Sequence, residues 1–187
     1  MRVVAGSARG RRLSAPGGSS TRPTTDRVRE ATFNALASSG AVDGARVVDP
    51  FAGSGALGIE ALSRGAAHCT FVERERAGRA VVEANLAATG LGDRAEVVGG
   101  DALVHLAHTQ ATFDLVLLDP PRAAADWPTL LAVLVPRLAP DAVVVVESDH
   151  PIVHPTDGGP WSVMREKRYG GTVVQMICAR PIPGGGS

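Results

Sequence analysis

A chain of 187 residues, 44% hydrophobic and 20% charged, is long enough to bury one full core and too ordinary in composition for a fibrous or disordered protein. No apolar run approaches the roughly 20 residues that cross a bilayer, and the opening MRVVAGSARGRRLS lacks the apolar centre of a signal peptide, so a cytoplasmic protein with no membrane partner is expected. Formal charge is zero, yet residues 1 to 30 carry seven arginines against two acids; such a segment suits a phosphate backbone or, equally, a solvated surface.

RVVAGSARGRRLSAP reads as a small β-hairpin turning at Ala8 to Gly10, with GGSS as the loop after it. TTDRVREATFNALAS offers Thr24 or Thr25 as a helix cap and sets Val28, Ala31, Phe33 and Leu36 at helical spacing. Strand and helix then alternate: ARVVDP, ALGIEALSRG, HCTFVE, RAGRAVVEANLAATG, AEVVGG, ALVHLAH, FDLVLLDP, WPTLLAVLVPRL and a closing strand DAVVVVES. Continuous apolar strands such as LVLL and VVVV are what a parallel sheet covered on both faces requires. WSVMREKRY and TVVQMICAR read as an antiparallel pair joined at Gly170-Gly171, and PIPGGGS as a disordered tail. The chain thus divides into a basic extension (1–40), a main domain (41–181) and the tail (182–187). Cys69 and Cys178 lie in apolar strands and read as two buried, reduced thiols.

GSGALG, Gly53 to Gly58, fits the G-x-G-x-x-G pattern of a strand turning into a helix whose N-terminus approaches a ligand. Five parallel strands finished by an antiparallel hairpin are the plan of a seven-stranded, Rossmann-like class I methyltransferase sheet, an α/β fold that takes S-adenosyl-L-methionine. Each of the first four strands ends in an acid: Asp49, Glu73, Asp101 and Asp119. Ligands of open α/β sheets sit outside the carboxyl ends of the strands. Asp49 and the turn Phe51, Ala52, Gly53, Ser54 and Gly55 are expected at the methionine end of the cofactor. Glu73, with Arg74 beside it, is expected at the ribose hydroxyls, and Asp101 with Ala102 at the adenine amino group. Each acid could instead cap the helix that follows it; four in register favour the nucleoside site.

LLDPPR, Leu117 to Arg122, carries the chemistry. An exocyclic amino group on a base has its lone pair delocalised into the ring, so it attacks a methyl sulfonium poorly unless its hydrogens are held. The Asp119 carboxylate and the Pro120 carbonyl can each accept one N–H, while Pro120 and Pro121 stiffen the turn. A fixed carboxylate then meets the charge developing on nitrogen.

Asp-Pro-Pro, VVDPFAGSGALGIEALSRGA, VVEANLAATGL and above all RVVAGSARGRRLSAP with TRPTTDRVREATFNAL resemble the RsmD-type methyltransferases of bacterial small-subunit ribosomal RNA over nearly the whole chain. The resemblance implies transfer of one methyl to the N2 amino group of a guanine in 16S rRNA, with the 30S subunit or a late assembly intermediate as partner and no metal. It also implies that Arg9, Arg11 and Arg12 grip RNA, and that Arg22, Thr24 and Arg27 lie near the mouth of the site. Arg122 stands where the family has an aromatic residue after Asp-Pro-Pro; its guanidinium plane is a possible substitute for stacking on a flipped base. A monomer is expected. Three rivals stay open: a DNA adenine-N6 methyltransferase with no room for a target-recognition domain, an RNA-binding assembly factor without efficient catalysis, and a nicotinamide oxidoreductase resting on GSGALG alone.

Overall fold

The structure is a computed structural model and describes residues 1–15, 26–121, 126–155 and 159–180. Strands β1 (Arg46–Asp49), β2 (His68–Glu73), β3 (Ala95–Gly99), β4 (Phe113–Leu118) and β5 (Leu138–Ser148) run parallel. The hairpin β6 (Trp161–Tyr169) and β7 (Thr172–Ala179) completes a seven-stranded sheet of order β3-β2-β1-β4-β5-β7-β6, with β7 antiparallel to both neighbours. The order turns outward in both directions from β1 and β4, which opens a crevice at their carboxyl ends.

Alternation along the strands divides the core in two. Val47, Phe71, Leu115, Leu117, Val145 and Val174 face α1 (Asp26–Ser38), α2 (Ala56–Ser63) and α3 (Arg76–Thr89). Val48, Val72, Val116, Leu118, Val144 and Val146 face α4 (Ala102–His108) and α5 (Trp127–Leu134). Both faces are dry, which is why the strands read as unbroken apolar runs. Gly58 lets α2 lie directly on β2: a Cβ there would come within 2.3 Å of the Phe71 ring and 2.6 Å of Cys69 Sγ. No helix among the described residues is long and apolar enough to cross a membrane.

Three local expectations are revised. β5 begins at Leu138 rather than Asp141, and Asp141 takes a left-handed φ of 61° where the pairing with β4 changes register. Cys69 is buried as expected, but Cys178 is only half-buried; both are free thiols. The N-terminal hairpin has one bridge, Arg2 to Arg12, and Val3 N–H donates to Arg11 O at 3.0 Å. A longer ladder does not form because the next two amides, Val4 and Ala5, donate to the Glu60 carboxylate of α2 at 2.8 and 3.0 Å. Val3, Ala8 and Leu13 are buried in the α1–α3 core, so the segment lies against the sheet domain along its length. Both candidate caps of α1, Thr24 and Thr25, fall outside the described residues.

Candidate active site

The turn after β1 is built from backbone. Gly55, with φ 77°, precedes the first turn of α2 and has no capping side chain. The cap comes from Asp49 at the end of β1, whose Oδ2 accepts the Gly58 N–H at 3.2 Å. A carboxylate at a helix N-terminus is favourable in itself, and this one is buried. Its Oδ1 is also buried and finds no hydrogen-bond partner. Burial pushes the carboxyl up to about 7, and the charges of Asp119 and Glu73 push the same way against the pull of the Gly58 and Phe51 amides. Three carboxylates from β2, β1 and β4, adjacent in the sheet, therefore act on one another across the crevice.

Glu73 ties the second wall to the turn. Its Oε2 accepts the Gly53 N–H at 2.8 Å and its Oε1 the Glu75 N–H at 2.8 Å. Gly78 makes room for it, since a Cβ there would stand 2.7 Å from Glu73 Cγ. Ala52 is buried and donates to Val72 O at 3.1 Å, and Phe51 is half-buried against the α4–α5 core. Arg74 is exposed and 3.5 Å from Glu75. Asp101 caps α4: Oδ1 accepts the amides of Leu103 and Val104 at 2.9 and 3.2 Å, which leaves Oδ2 outside the cap, and Ala102 is buried behind it. Asp119 is half-buried directly after β4, with Pro120 buried and Pro121 exposed.

Such a set suits a nucleoside bearing an amino-acid group. Unpaired Asp49 Oδ1 and the neighbouring carboxylates favour an ammonium, Glu73 suits a ribose diol, and the glycine turn allows close backbone approach.

Of the residues expected at the substrate, Arg9, Arg11 and Arg12 are exposed on the N-terminal loop and Arg27 on α1. Arg22, Thr24 and Arg122 lie outside the described residues. Arg29, counted by sequence into the basic segment, is wholly buried: its guanidinium lies 2.9 Å from Asp26 and 3.6 Å from Glu60 and also donates to Arg2 O. It is structural charge, inaccessible to a ligand.

Two buried polar residues escaped the reading of the sequence. Asn85 on α3 accepts the Ser14 N–H at 2.8 Å and donates to Ser14 O at 3.0 Å and Ser54 O at 2.8 Å. It thereby joins the N-terminal segment to the glycine turn. Glu60 joins the same segment to α2. Their signal was present: each is a polar side chain in an apolar stripe, Asn85 beside Val82 and Leu86, Glu60 between Ile59 and Ala61.

The strand order and the acids closing β1, β2 and β4 define the class, a Rossmann-like methyltransferase fold. The solved Escherichia coli structure yhhF matches it with a TM-score of 0.84 at 39% identity, over 96% of this chain and 98% of that one. The chain belongs to the family described as conserved hypothetical protein 95, which matches residues 1–178. Ribosomal RNA small subunit methyltransferase D of Escherichia coli K12 is 41% identical over 172 residues, 91% of this chain and 85% of that protein. YlbH of Bacillus subtilis 168 is 41% identical over 185 residues, 96% of this chain and 100% of its own length.

Proposed function

We propose that this protein methylates small-subunit ribosomal RNA, using S-adenosyl-L-methionine to modify the exocyclic N2 of one guanine. The observation that carries the reading is the convergence of Asp49, Glu73 and Asp119 in one crevice, with Asp-Pro-Pro at its edge. Family membership and the likeness to a small-subunit rRNA methyltransferase support the substrate. When bound, S-adenosyl-L-methionine supplies a methyl group on a sulfonium. Asp49 and Asp119 favour its ammonium, Glu73 its ribose hydroxyls and Asp101 Oδ2 its adenine amino group. At the reacting base, the Asp119 carboxylate and the Pro120 carbonyl accept the two amino hydrogens. This aims the nitrogen lone pair and offsets the positive charge that grows as the N–C bond forms and the methyl–sulfur bond breaks, the sulfur leaving as the neutral thioether of S-adenosylhomocysteine. The surplus proton leaves through Asp119 to solvent. Arg122 stacks on the base in place of an aromatic ring. Arg9, Arg11 and Arg12 hold phosphates, and the protein acts as a monomer in the cytoplasm on the 30S subunit or a late precursor.

The test uses 30S subunits from cells lacking the gene, methyl-labelled S-adenosyl-L-methionine and mass mapping of the rRNA. Label is expected on a single guanine N2, reduced at least about hundredfold by Asp119→Ala. Cofactor binding without label on 30S subunits, naked rRNA or DNA would leave an assembly factor as the better account.

A further inference from the structure

The edge strand β6 carries cations that the proposed reaction does not use. Arg165 and Lys167 are exposed, and neither makes an ion pair with a carboxylate among the described residues. Lys167 Nζ sits 5.4 Å from the centre of the Tyr169 ring, so the ammonium is held in place while its outer side stays open to solvent. Arg165, Lys167 and Tyr169 alternate onto one face of the strand and border a shallow cleft whose other wall is α1, at Ala31, Thr32 and Ala35. The cleft itself has room for only about 10 Å³, less than a phosphate group, so it is a closed seam with the cations standing along its rim. Arg27, exposed, lies one helical turn before Ala31 on the same side of α1 and extends the strip toward the N-terminal arginines.

Register ties this strip to the chemistry. Leu118, the residue before Asp119, pairs with Val146 on β5; the next β5 residue, Glu147, pairs with Val174, and Val174 pairs with Lys167. Lys167 therefore stands level with Asp119, three strand spacings away, about 14 Å across the sheet. That span corresponds to a few nucleotides of RNA, and Val174 belongs to the core beneath α1–α3, the same face as Arg27.

We propose that the basic rim of the α1–β6 seam binds the phosphodiester backbone of the rRNA flanking the target base across its surface, with Arg27, Arg165 and Lys167 at phosphates and Tyr169 against a sugar or base. The proposal rests on the rRNA-methyltransferase reading and adds a second anchor to the N-terminal arginines. Two anchors would fix the strand at both ends of the base to be extruded, which one basic segment cannot do.

The experiment measures binding of the full chain to 30S subunits lacking the modification, as a function of salt, for wild type, R165E/K167E and R168E. Arg168 is equally cationic and exposed but alternates to the opposite face of β6, so R168E, with half the charge change of the double variant, controls for net charge when effects are compared per unit charge. R165E/K167E is expected to bind on the order of tenfold more weakly near physiological salt, with a salt dependence shallower by about one for each phosphate that the variant no longer neutralises. R168E should stay within about threefold of wild type and keep its slope, and S-adenosylhomocysteine affinity should be unchanged in both. Equal effects per unit of charge changed in the two variants, or an unchanged slope in R165E/K167E, would overturn the proposal and leave these cations as guards of an open sheet edge. A wild-type protein that neither binds nor methylates the subunit would fail the functional reading itself, a result distinct from a methylating wild type whose β6 variants bind normally.

Discussion

At the residue scale the most informative group is Asp49. An aspartate held up to about 7 in the folded protein and near 3.8 in the unfolded chain keeps its proton longer when folded. Between these values the native state binds more protons, so this group's contribution to stability declines as pH rises through the window and is lost above about 7. Three pH units correspond to about 4 kcal/mol at 1.36 kcal/mol per unit. The expected result is that Asp49→Asn, which keeps the shape without the charge, is more stable than wild type at pH 8 and gains little at pH 4. Chemical denaturation at closely spaced pH values measures the difference; parallel wild-type and variant curves would contradict it. A carboxyl held uncharged by burial is costly to keep, and a cationic ligand beside it recovers the cost by favouring ionisation. Affinity for S-adenosylhomocysteine should accordingly rise with pH in wild type and stay flat in Asp49→Asn.

At the scale of elements, Asn85 is the place where three pieces of chain meet. Its amide satisfies both backbone groups of Ser14 and the carbonyl of Ser54, and it is 2% exposed. Asn85→Ala removes three hydrogen bonds to part-buried backbone groups, about 0.5 to 1.5 kcal/mol each, and frees the glycine turn from the N-terminal segment. We expect weaker S-adenosylhomocysteine binding together with faster tryptic cleavage at Arg9, Arg11 and Arg12; a change in stability alone, with cofactor affinity intact, would confine Asn85 to packing. Side chains like this one mark the limit of what the sequence could disclose. The strands were legible because burial on both faces leaves them uniformly apolar, and HCTFVE reads as β2 from end to end. That Asp49, Glu73 and Asp119 are neighbours was legible because the ends of adjacent strands lie side by side, whereas Asp101 caps α4. The partners of Asn85 and Glu60 were not, since they lie 71 and 55–56 residues away in the chain and follow from no local period. The hairpin was overread for the same reason: its alternation is real, but its amides are claimed by a distant carboxylate. Arg29 looked like its exposed neighbours because charge says nothing about burial until a carboxylate is found to meet it.

For the molecule as a whole, Glu60 decides whether the basic segment is an appendage or part of the domain. Fully buried, it accepts the amides of Val4 and Ala5 at 2.8 and 3.0 Å, pairs with Arg64 at 2.7 Å and lies 3.6 Å from Arg29. One carboxylate thus holds the N-terminal loop, α1 and α2, and α2 opens directly from the glycine turn. An ion cluster of this kind adds little against an apolar substitute, but removing one member weakens the rest: buried Arg29 would keep only the exposed Asp26 as counter-charge, and two half-buried amides would lose their acceptor. Glu60→Ala is therefore expected to cost about 3 to 5 kcal/mol, and Glu60→Gln less, because the amide oxygen still accepts. If the segment is integral, urea unfolding followed by far-ultraviolet dichroism and by protease sensitivity of residues 1–15 should give coincident transitions in wild type and both move to lower urea in Glu60→Ala. If the segment is an appendage, the variant would become protease-sensitive there while the main transition shifts by less than about 1 kcal/mol. The packing favours the first outcome, because Val3, Ala8 and Leu13 contribute to the same core as α1, α2 and β1. A segment so fixed presents its arginines preordered, so the RNA binding proposed for it would carry a smaller ordering cost than that of a disordered arm.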